Sequence, residues 1–129
     1  MKFGYTIVYV GDVAASLAFF ERAFGLTRRF LHESGSYGEL ETGATTLAFA
    51  AHATARANLG RDYVAADASA QPLGVEVGLV SDDVEAACAR AATAGATLLA
   101  APTIKPWGQT VAYVRCPDGT LVELCTPVG

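Results

Sequence analysis

The pattern of apolar and polar residues changes period along this chain, and each change predicts the boundary of an element. The segment from Phe3 to Val10 is a continuous apolar run rich in β-branched and aromatic residues, which predicts a buried strand. Asp12 stands where a helix N-cap belongs, and Gly25 stands where a left-handed residue ends a helix. Between them, apolar residues recur at helical spacing and predict one buried helix face: Val13, Leu17, Phe20 and Phe24.

Three further strand-like segments follow this helix. They lie near Thr27–Glu33, Tyr37–Thr42 and Ala44–Ala50, and turn residues separate them. Residues Ala51 to Leu73 then lose clear periodicity and are rich in Ala, Asn, Asp and Arg. We interpret them as a connection, because they are too polar in pattern for a core strand. Connections of this length are usually functional or mobile.

The same order of elements begins again after the connection. Gly74–Val80 predicts a strand, and Asp83 and Gly95 are placed to begin and end a second helix. The inner face of that helix is expected to contain Val84, Cys88 and Ala91. Three more strand segments are expected near Thr97–Ala101, Gln109–Arg115 and Thr120–Pro127.

This repeat predicts an α+β fold of two tandem βαβββ modules within a single domain, residues 1–129. Module one spans about residues 1–50, the connection 51–73, and module two about 74–129. Each helix is expected to cover one face of its own sheet. The opposite faces then curve toward each other and leave a cleft between the modules.

Composition and charge narrow the classes of function. Hydrophobic residues make up 52% of the chain and charged residues 17%, which is typical of a well-buried globular protein. The net charge is −4 and no basic cluster appears, so we expect no nucleic-acid partner. No apolar run approaches the roughly 18 residues of a membrane span, and the N-terminus lacks a signal-peptide pattern. We therefore expect a soluble cytoplasmic protein with no membrane partner.

Three cysteines, Cys88, Cys116 and Cys125, lack the spacing of a metal clip and leave one over after any pairing. In a cytoplasmic chain they are expected to be small, mostly buried side chains.

Two stretches of the chain carry a family resemblance. The first runs from Val10 to Phe20 and continues in Phe24-Gly25-Leu26. The second begins at Trp107-Gly108-Gln109-Thr110 and leads to the segment from Arg115 to Leu124. With the duplication, they resemble the vicinal oxygen chelate superfamily of glyoxalase I, fosfomycin and bleomycin resistance proteins, methylmalonyl-CoA epimerase and extradiol dioxygenases. The resemblance covers essentially the whole chain and implies the glyoxalase/bleomycin-resistance fold with a U-shaped cleft, although one fold hosts many chemistries.

The resemblance further implies four cleft positions, one on the first and one on the last strand of each module, where metal-dependent members hold a divalent ion. Tyr5 precedes Asp12 by the same number of residues as Glu76 precedes Asp83. These two residues therefore take the first-strand positions, where many members carry histidine. Glu123 takes the last-strand position of module two, where members commonly place a glutamate.

Alternation along the strands assigns the fourth position. Leu47 and Phe49 form the apolar set that packs on the helix, which leaves Thr46, Ala48 and Ala50 for the cleft, with Ala48 as the counterpart of Glu123. Alanine binds no metal and neutral tyrosine is a poor ligand. Only Glu76 and Glu123 remain, whereas catalytic zinc sites usually have about three protein ligands. We expect no obligate metal or other cofactor, while two carboxylates with water still suit a divalent ion such as magnesium or manganese.

Alternatives stay open for several of these residues. Glu76 and Glu123 either line the cleft or face solvent. If both line it, the carboxylate whose pKa is raised by the other acts as a catalytic proton carrier. His52 shares the cleft face with Ala48 if the strand alternation runs on, and is otherwise an exposed loop residue. Trp107 either stacks on a flat ligand at the cleft mouth or packs as a plug or subunit contact.

Three functions are compatible with this pattern. The first is binding of a small, flat, partly apolar molecule in the cleft without an obligate metal, closest in kind to bleomycin resistance proteins. Tyr5, Ala48, His52 and Trp107 would contact that ligand. The second is a divalent-metal-dependent lyase or isomerase of glyoxalase type, with metal on Glu76 and Glu123. The third is a non-catalytic dimeric protein, because the resemblance also implies a homodimer, sometimes with modules exchanged between chains.

Overall fold

The computed structural model describes residues 1–128, which form eight strands, three α-helices and one short 3-10 helix. In chain order they are β1 (Tyr5–Val10), α1 (Val13–Phe24), β2 (Thr27–Leu31), β3 (Tyr37–Glu41), β4 (Thr46–Ala51), α2 (His52–Leu59), the 3-10 helix (Ala66–Ala68), β5 (Glu76–Val80), α3 (Val84–Ala94), β6 (Thr97–Ile104), β7 (Thr110–Arg115) and β8 (Leu121–Cys125).

The strands form two four-stranded sheets built on one plan. Sheet one has the order β1-β4-β3-β2, and sheet two has the order β5-β8-β7-β6. In each sheet the first strand of the module pairs in parallel with the last, and the other neighbours are antiparallel. The α+β fold of two tandem βαβββ modules that the sequence predicts is therefore confirmed.

Both long helices begin and end at the predicted residues. The Asp12 carboxylate accepts a hydrogen bond from the backbone amide three residues on, at 3.0 Å, and Asp83 does the same for α3 at 3.0 Å. These contacts satisfy amides that have no partner inside the helix. Gly25 then ends α1 with a φ of 70°, a left-handed conformation that glycine adopts without strain.

The helices join the two modules into one core. The predicted stripe of α1 is largely buried, and a second row of α1 residues, Ser16, Phe19 and Ala23, is buried as well. This second row is buried because α1 packs against α3 in addition to its own sheet. The core cluster accordingly contains residues of both modules. A direct polar link crosses between them, since the Ser16 hydroxyl donates to Asp118 Oδ2 at 2.7 Å.

Strand β6 is longer than its sequence pattern predicts. The expected end is Ala101, but the strand continues through Pro102 to Ile104. Proline has no amide hydrogen to donate, yet β6 is the outer strand of sheet two and has a partner on one side only. The remaining strands agree with their expected positions to within a few residues at each end.

The connection between the modules contains more structure than its aperiodic sequence suggests. Its first residues form α2, which begins at His52 as soon as β4 ends at Ala51. The premise that strand alternation carries on to His52 is therefore wrong. Arg115 holds the later part of the connection, because its guanidinium donates to the carbonyls of Ala66 at 2.8 Å and Ser69 at 2.9 Å.

Within residues 1–128, no helix is long and apolar enough to cross a membrane. The three cysteines are all buried and unpaired, as the sequence predicts.

Candidate functional site

The two sheets meet along a line that we call the seam, where β1 lies beside β5. Each of them is an edge strand of its own sheet, and among the described residues no sheet pairing joins β1 to β5. Residues of both strands line the same cavities. Edge strands carry backbone amides and carbonyls without ladder partners, so the seam offers hydrogen-bonding groups to whatever occupies it.

Strand register gives the four predicted cleft positions equivalent places in the two modules. Tyr5 and Glu76 each begin the first strand of a module. Ala48 pairs with Ile7 on β1, and Glu123 pairs with Gly78 on β5. All four therefore lie on the face of each sheet turned away from the helices, which we call the open face. Their roles in binding or catalysis stay predictions.

The acidic pair of module two occupies neighbouring strands on this open face. Glu76 is exposed at the start of β5, yet partial desolvation by the seam raises its pKa, and the nearby charge of Glu123 raises it further. The Tyr113 hydroxyl donates to Glu123 Oε1 at 3.1 Å. Burial, with that hydrogen bond, also raises the pKa of Tyr113. Glu76 therefore binds its proton more tightly than a free carboxyl does, and it lies beside Glu123, which accepts a hydrogen bond from Tyr113.

Module one fills the corresponding region in another way. Ala48 is fully buried, and across the sheet from it lies Glu39, which is only 8% exposed. Arg29 donates to Glu39 at 3.2 Å, and the Tyr37 hydroxyl donates to it at 2.7 Å. Glu39 is not among the candidates that the sequence suggests. The signal that could have identified it is its place two residues after Tyr37, which puts both side chains on the same face of the strand. Because its carboxylate is already neutralised by Arg29, we assign this cluster to packing of module one.

A cavity of about 220 Å³ lies in the seam. Most of its lining is apolar and comes from β1, the connection and the start of β5, including Ile7, Val64, Leu73, Val75 and Leu121. Among the described residues that line it, Glu76 alone is charged. A second seam cavity, bordered by threonines of β1 and β4, also includes Glu76 in its wall. Of the predicted site residues, Glu76 is the one that lines these cavities.

His52 lies outside the seam cavity but contacts a residue that lines it. Its Nδ1 lies 2.5 Å from the Tyr63 hydroxyl, and its Nε2 lies 2.9 Å from Asp67 Oδ2. The Tyr63 ring also packs on Tyr9, with ring centroids 4.9 Å apart. The sequence suggests His52 as a candidate but neither of its partners. The available signal is Tyr63 itself, because no Phe, Trp or other Tyr occurs in this Ala- and Asp-rich connection.

Trp107 lies in the turn between β6 and β7, at the outer side of sheet two. It is 66% exposed, and its indole N–H donates to Gln109 Oε1 at 2.7 Å. It neither lines the seam cavity nor plugs the core. The roles that the sequence leaves open for this side chain stay predictions: stacking on a ligand, packing of its own loop, or a subunit contact.

Among residues 1–128 there is no group of three or more His, Cys, Asp or Glu side chains arranged to hold a metal ion. Glu76 and Glu123 supply carboxylates from neighbouring strands, and their counterparts Tyr5 and Ala48 add no good ligand. The residues present therefore do not fit a catalytic site with three protein ligands.

Comparison with known proteins agrees with the duplicated fold. The model of the Glyoxalase/Bleomycin resistance protein/Dioxygenase superfamily matches residues 2–124. The chain belongs to this superfamily.

Solved structures show the same fold at low sequence identity. A glyoxalase-related enzyme from Fulvimarina pelagi is 20% identical, with a TM-score of 0.83, and the match covers 100% of this chain and 93% of that one. A glyoxalase/bleomycin resistance protein/dioxygenase family enzyme from Burkholderia phytofirmans PsJN is 23% identical, with a TM-score of 0.79 and coverage of 95% and 96%. No curated protein sequence matches this chain significantly.

Proposed function

We propose that this chain binds a small, flat, partly apolar molecule in the seam cavity and needs no metal to do so. The cavity itself carries the proposal: it measures about 220 Å³, lies between the modules, and is walled mainly by aliphatic side chains with one carboxylate. Small-molecule sites commonly combine an apolar lining with a few polar groups that fix orientation. Glu76 supplies such a group here, and Tyr5 at the start of β1 extends the open face beside it.

The shape of the lining favours a flat ligand. Tyr9 and Tyr63 pack on each other and both line the cavity, which offers an aromatic wall to a planar molecule. The edge strands β1 and β5 border the same space, and their backbone amides and carbonyls supply hydrogen-bond donors and acceptors there.

Filling the cavity tests this proposal. We expect Leu121→Trp to abolish ligand-induced stabilisation in a screen of small planar compounds, because the indole occupies the space beside Glu76. Leu59→Trp is the matched control, since Leu59 is 50% exposed on α2 and outside the cavity. The measurement is the shift in melting temperature on adding each compound. Equal shifts for wild type and Leu121→Trp would place the ligand elsewhere and overturn the proposal.

A divalent-metal-dependent lyase or isomerase is the second candidate. One observation favours it: Glu76 and Glu123 lie on neighbouring strands of the open face, and the pKa of Glu76 is raised by burial and by Glu123. A carboxylate that holds its proton nearer to neutral pH is suited to acid–base catalysis. Because the ligand set is incomplete, we derive no step through a metal.

Metal titration distinguishes the two candidates. We expect nickel, zinc, manganese and magnesium to leave the melting temperature unchanged, because two carboxylates alone hold such ions weakly. The control is the double variant Glu76→Gln/Glu123→Gln. If wild type retains near-stoichiometric metal and gains stability from it while the double variant does neither, the metal-dependent enzyme is the correct assignment.

We also propose that the chain forms a homodimer through module two. Four large apolar residues on β6 and the turn after it are 46–76% exposed, and we call them the β6 patch: Leu98, Leu99, Ile104 and Trp107. Several large apolar side chains exposed on one edge strand and its turn are a feature of interaction sites. Such a dimer is compatible with ligand binding and also with a protein that has no catalytic role.

A further inference from the structure

The connection places a three-residue hydrogen-bond chain directly behind the seam cavity. The Tyr63 hydroxyl lies 2.5 Å from His52 Nδ1, and His52 Nε2 lies 2.9 Å from Asp67 Oδ2. His52 begins α2, while the other two residues lie farther along the connection. Of these three hydrogen-bonded residues, Tyr63 lines the cavity.

For a neutral imidazole, the chemistry of the three groups sets the direction of these hydrogen bonds. An ionised carboxylate only accepts, so Asp67 requires a proton on Nε2 of His52. Nδ1 of the neutral imidazole then carries a lone pair and accepts the proton of the Tyr63 hydroxyl. The Tyr63 oxygen thus has its single proton committed to His52, while it still has lone pairs to offer.

The ring of Tyr63 is held in place without its hydroxyl. It packs on Tyr9 at 4.9 Å between centroids, and the Arg56 guanidinium lies 5.0 Å from the ring centroid. Arg56 is in turn paired with Asp62 at 2.9 Å. These contacts already fix the position of the ring. The hydrogen bond to His52 therefore also determines whether the Tyr63 oxygen donates or accepts a hydrogen bond toward a ligand.

We propose that the Tyr63 oxygen is a hydrogen-bond acceptor for a ligand hydroxyl, so that the seam cavity selects neutral phenol-type molecules. Glu76 lines the same cavity, and its carboxylate when ionised is a second acceptor that disfavours anionic ligands. An apolar molecule that can only accept hydrogen bonds leaves both groups unsatisfied, which costs binding free energy. This inference rests on the proposed function and adds the chemical class of the ligand.

A matched pair of probes tests the selection. 4-Methylphenol and 4-methylanisole have nearly the same ring, but the ether has no proton to donate. We expect calorimetry at neutral pH to show that wild type prefers the phenol by about fivefold in Kd, as one additional hydrogen bond allows. Tyr63→Phe keeps the ring contacts and removes the acceptor, so the preference should fall to near unity.

Tyr37→Phe is the matched control. The Tyr37 hydroxyl also donates to a side-chain acceptor, Glu39, but Tyr37 does not line the cavity. We expect this variant to retain the full phenol preference. If Tyr63→Phe retains it too, the inference is wrong, because the hydroxyl then serves only to hold the connection.

Substitution of His52 tests the second link. In His52→Ala the Tyr63 proton is released and can turn toward the ligand, so the ether gains a donor and the phenol preference should shrink. His52→Asn places an amide oxygen near the position of Nδ1 and should restore part of the preference. An unchanged preference in His52→Ala would remove His52 from the mechanism.

The outcomes separate this inference from the proposal on which it rests. If both probes bind wild type equally and Leu121→Trp blocks both, the cavity binds small molecules but the phenol selection is wrong. If neither probe binds wild type, the phenol inference is overturned and the cavity proposal is contradicted for compounds of this size.

Discussion

At the scale of single residues, the two modules differ in where they place their open-face carboxylate. Module two carries Glu123 on its last strand, paired with Tyr113 on the next strand outward. Module one has Ala48 on the last strand and Glu39 on the next one outward. The carboxylate of module one, Glu39, thus lies one strand farther from the seam than Glu123 does in module two, and it forms an ion pair with Arg29. Of the open-face carboxylates described here, those near the seam belong to module two.

The raised pKa of Glu76 predicts a specific dependence of stability on pH. A carboxyl whose folded pKa is raised binds its proton more tightly in the folded state, so its stabilising contribution is present at low pH and is lost as pH rises through the folded value. We therefore expect Glu76→Gln to gain melting temperature relative to wild type as pH rises from about 4 to about 7.

The matched control for this experiment is Glu33→Gln, because Glu33 is exposed in the turn between β2 and β3. Its difference from wild type should stay constant over the same range. If Glu76→Gln shows the same flat difference, the environment described for Glu76 is incorrect. A partial effect in Glu123→Gln would follow from the order of the two causes, burial first and the charge of Glu123 second.

At the scale of elements, the connection is fixed to module two at the start of β8. Gly119 has a φ of 90°, and a Cβ atom there would overlap the backbone carbonyl of Ala66. Glycine is therefore required for two reasons, its backbone conformation and the close approach of the connection. The Arg115 hydrogen bonds to Ala66 and Ser69 stabilise the same contact.

Alanine at this position tests how closely the connection is packed. We expect Gly119→Ala to lower the free energy of unfolding by about 3 kcal/mol, because the chain must move to relieve the overlap. Gly108→Ala is the matched control, since Gly108 has a φ of 101° and nothing within 4 Å of the added Cβ. It should cost about 1 kcal/mol, from backbone strain alone. Urea unfolding measures both, and equal losses would contradict the close packing.

At the scale of the whole molecule, the modules are joined through their helices rather than through their sheets. The core cluster runs across α1 and α3, while β1 and β5 face each other without sheet pairing among the described residues. This division explains why one molecule has both a shared core and open space between its halves. The ligand that we propose would occupy the seam without requiring a change in the core.

The β6 patch gives a prediction at the same scale. We expect sedimentation velocity to show a dimer for wild type and a shift toward monomer for Ile104→Asp, since a charge in an apolar contact is costly. Val128→Asp is the control, because Val128 is 82% exposed and lies outside the patch. A wild-type monomer at all protein concentrations would refute the proposed dimer.

The sequence by itself determined the duplicated plan, the helix boundaries at Asp12, Gly25, Asp83 and Gly95, and the superfamily. These features are local: a capping carboxylate and a period of apolar residues act over a few neighbours and are visible in one dimension. The same alternation predicted that Ala48 and Glu123 occupy equivalent strand positions, which the registers show.

Tertiary structure decided the features that depend on residues far apart in the chain. The connection was expected to be aperiodic, yet it contains the helix α2, which packs on β4 and β1. Its fold also brings His52, Tyr63 and Asp67 together. The periodicity of the sequence cannot predict the contact among these three residues, because it depends on the path that the connection follows after β4. The seam cavity has the same origin: it exists because α1 and α3 pack while β1 and β5 stay apart.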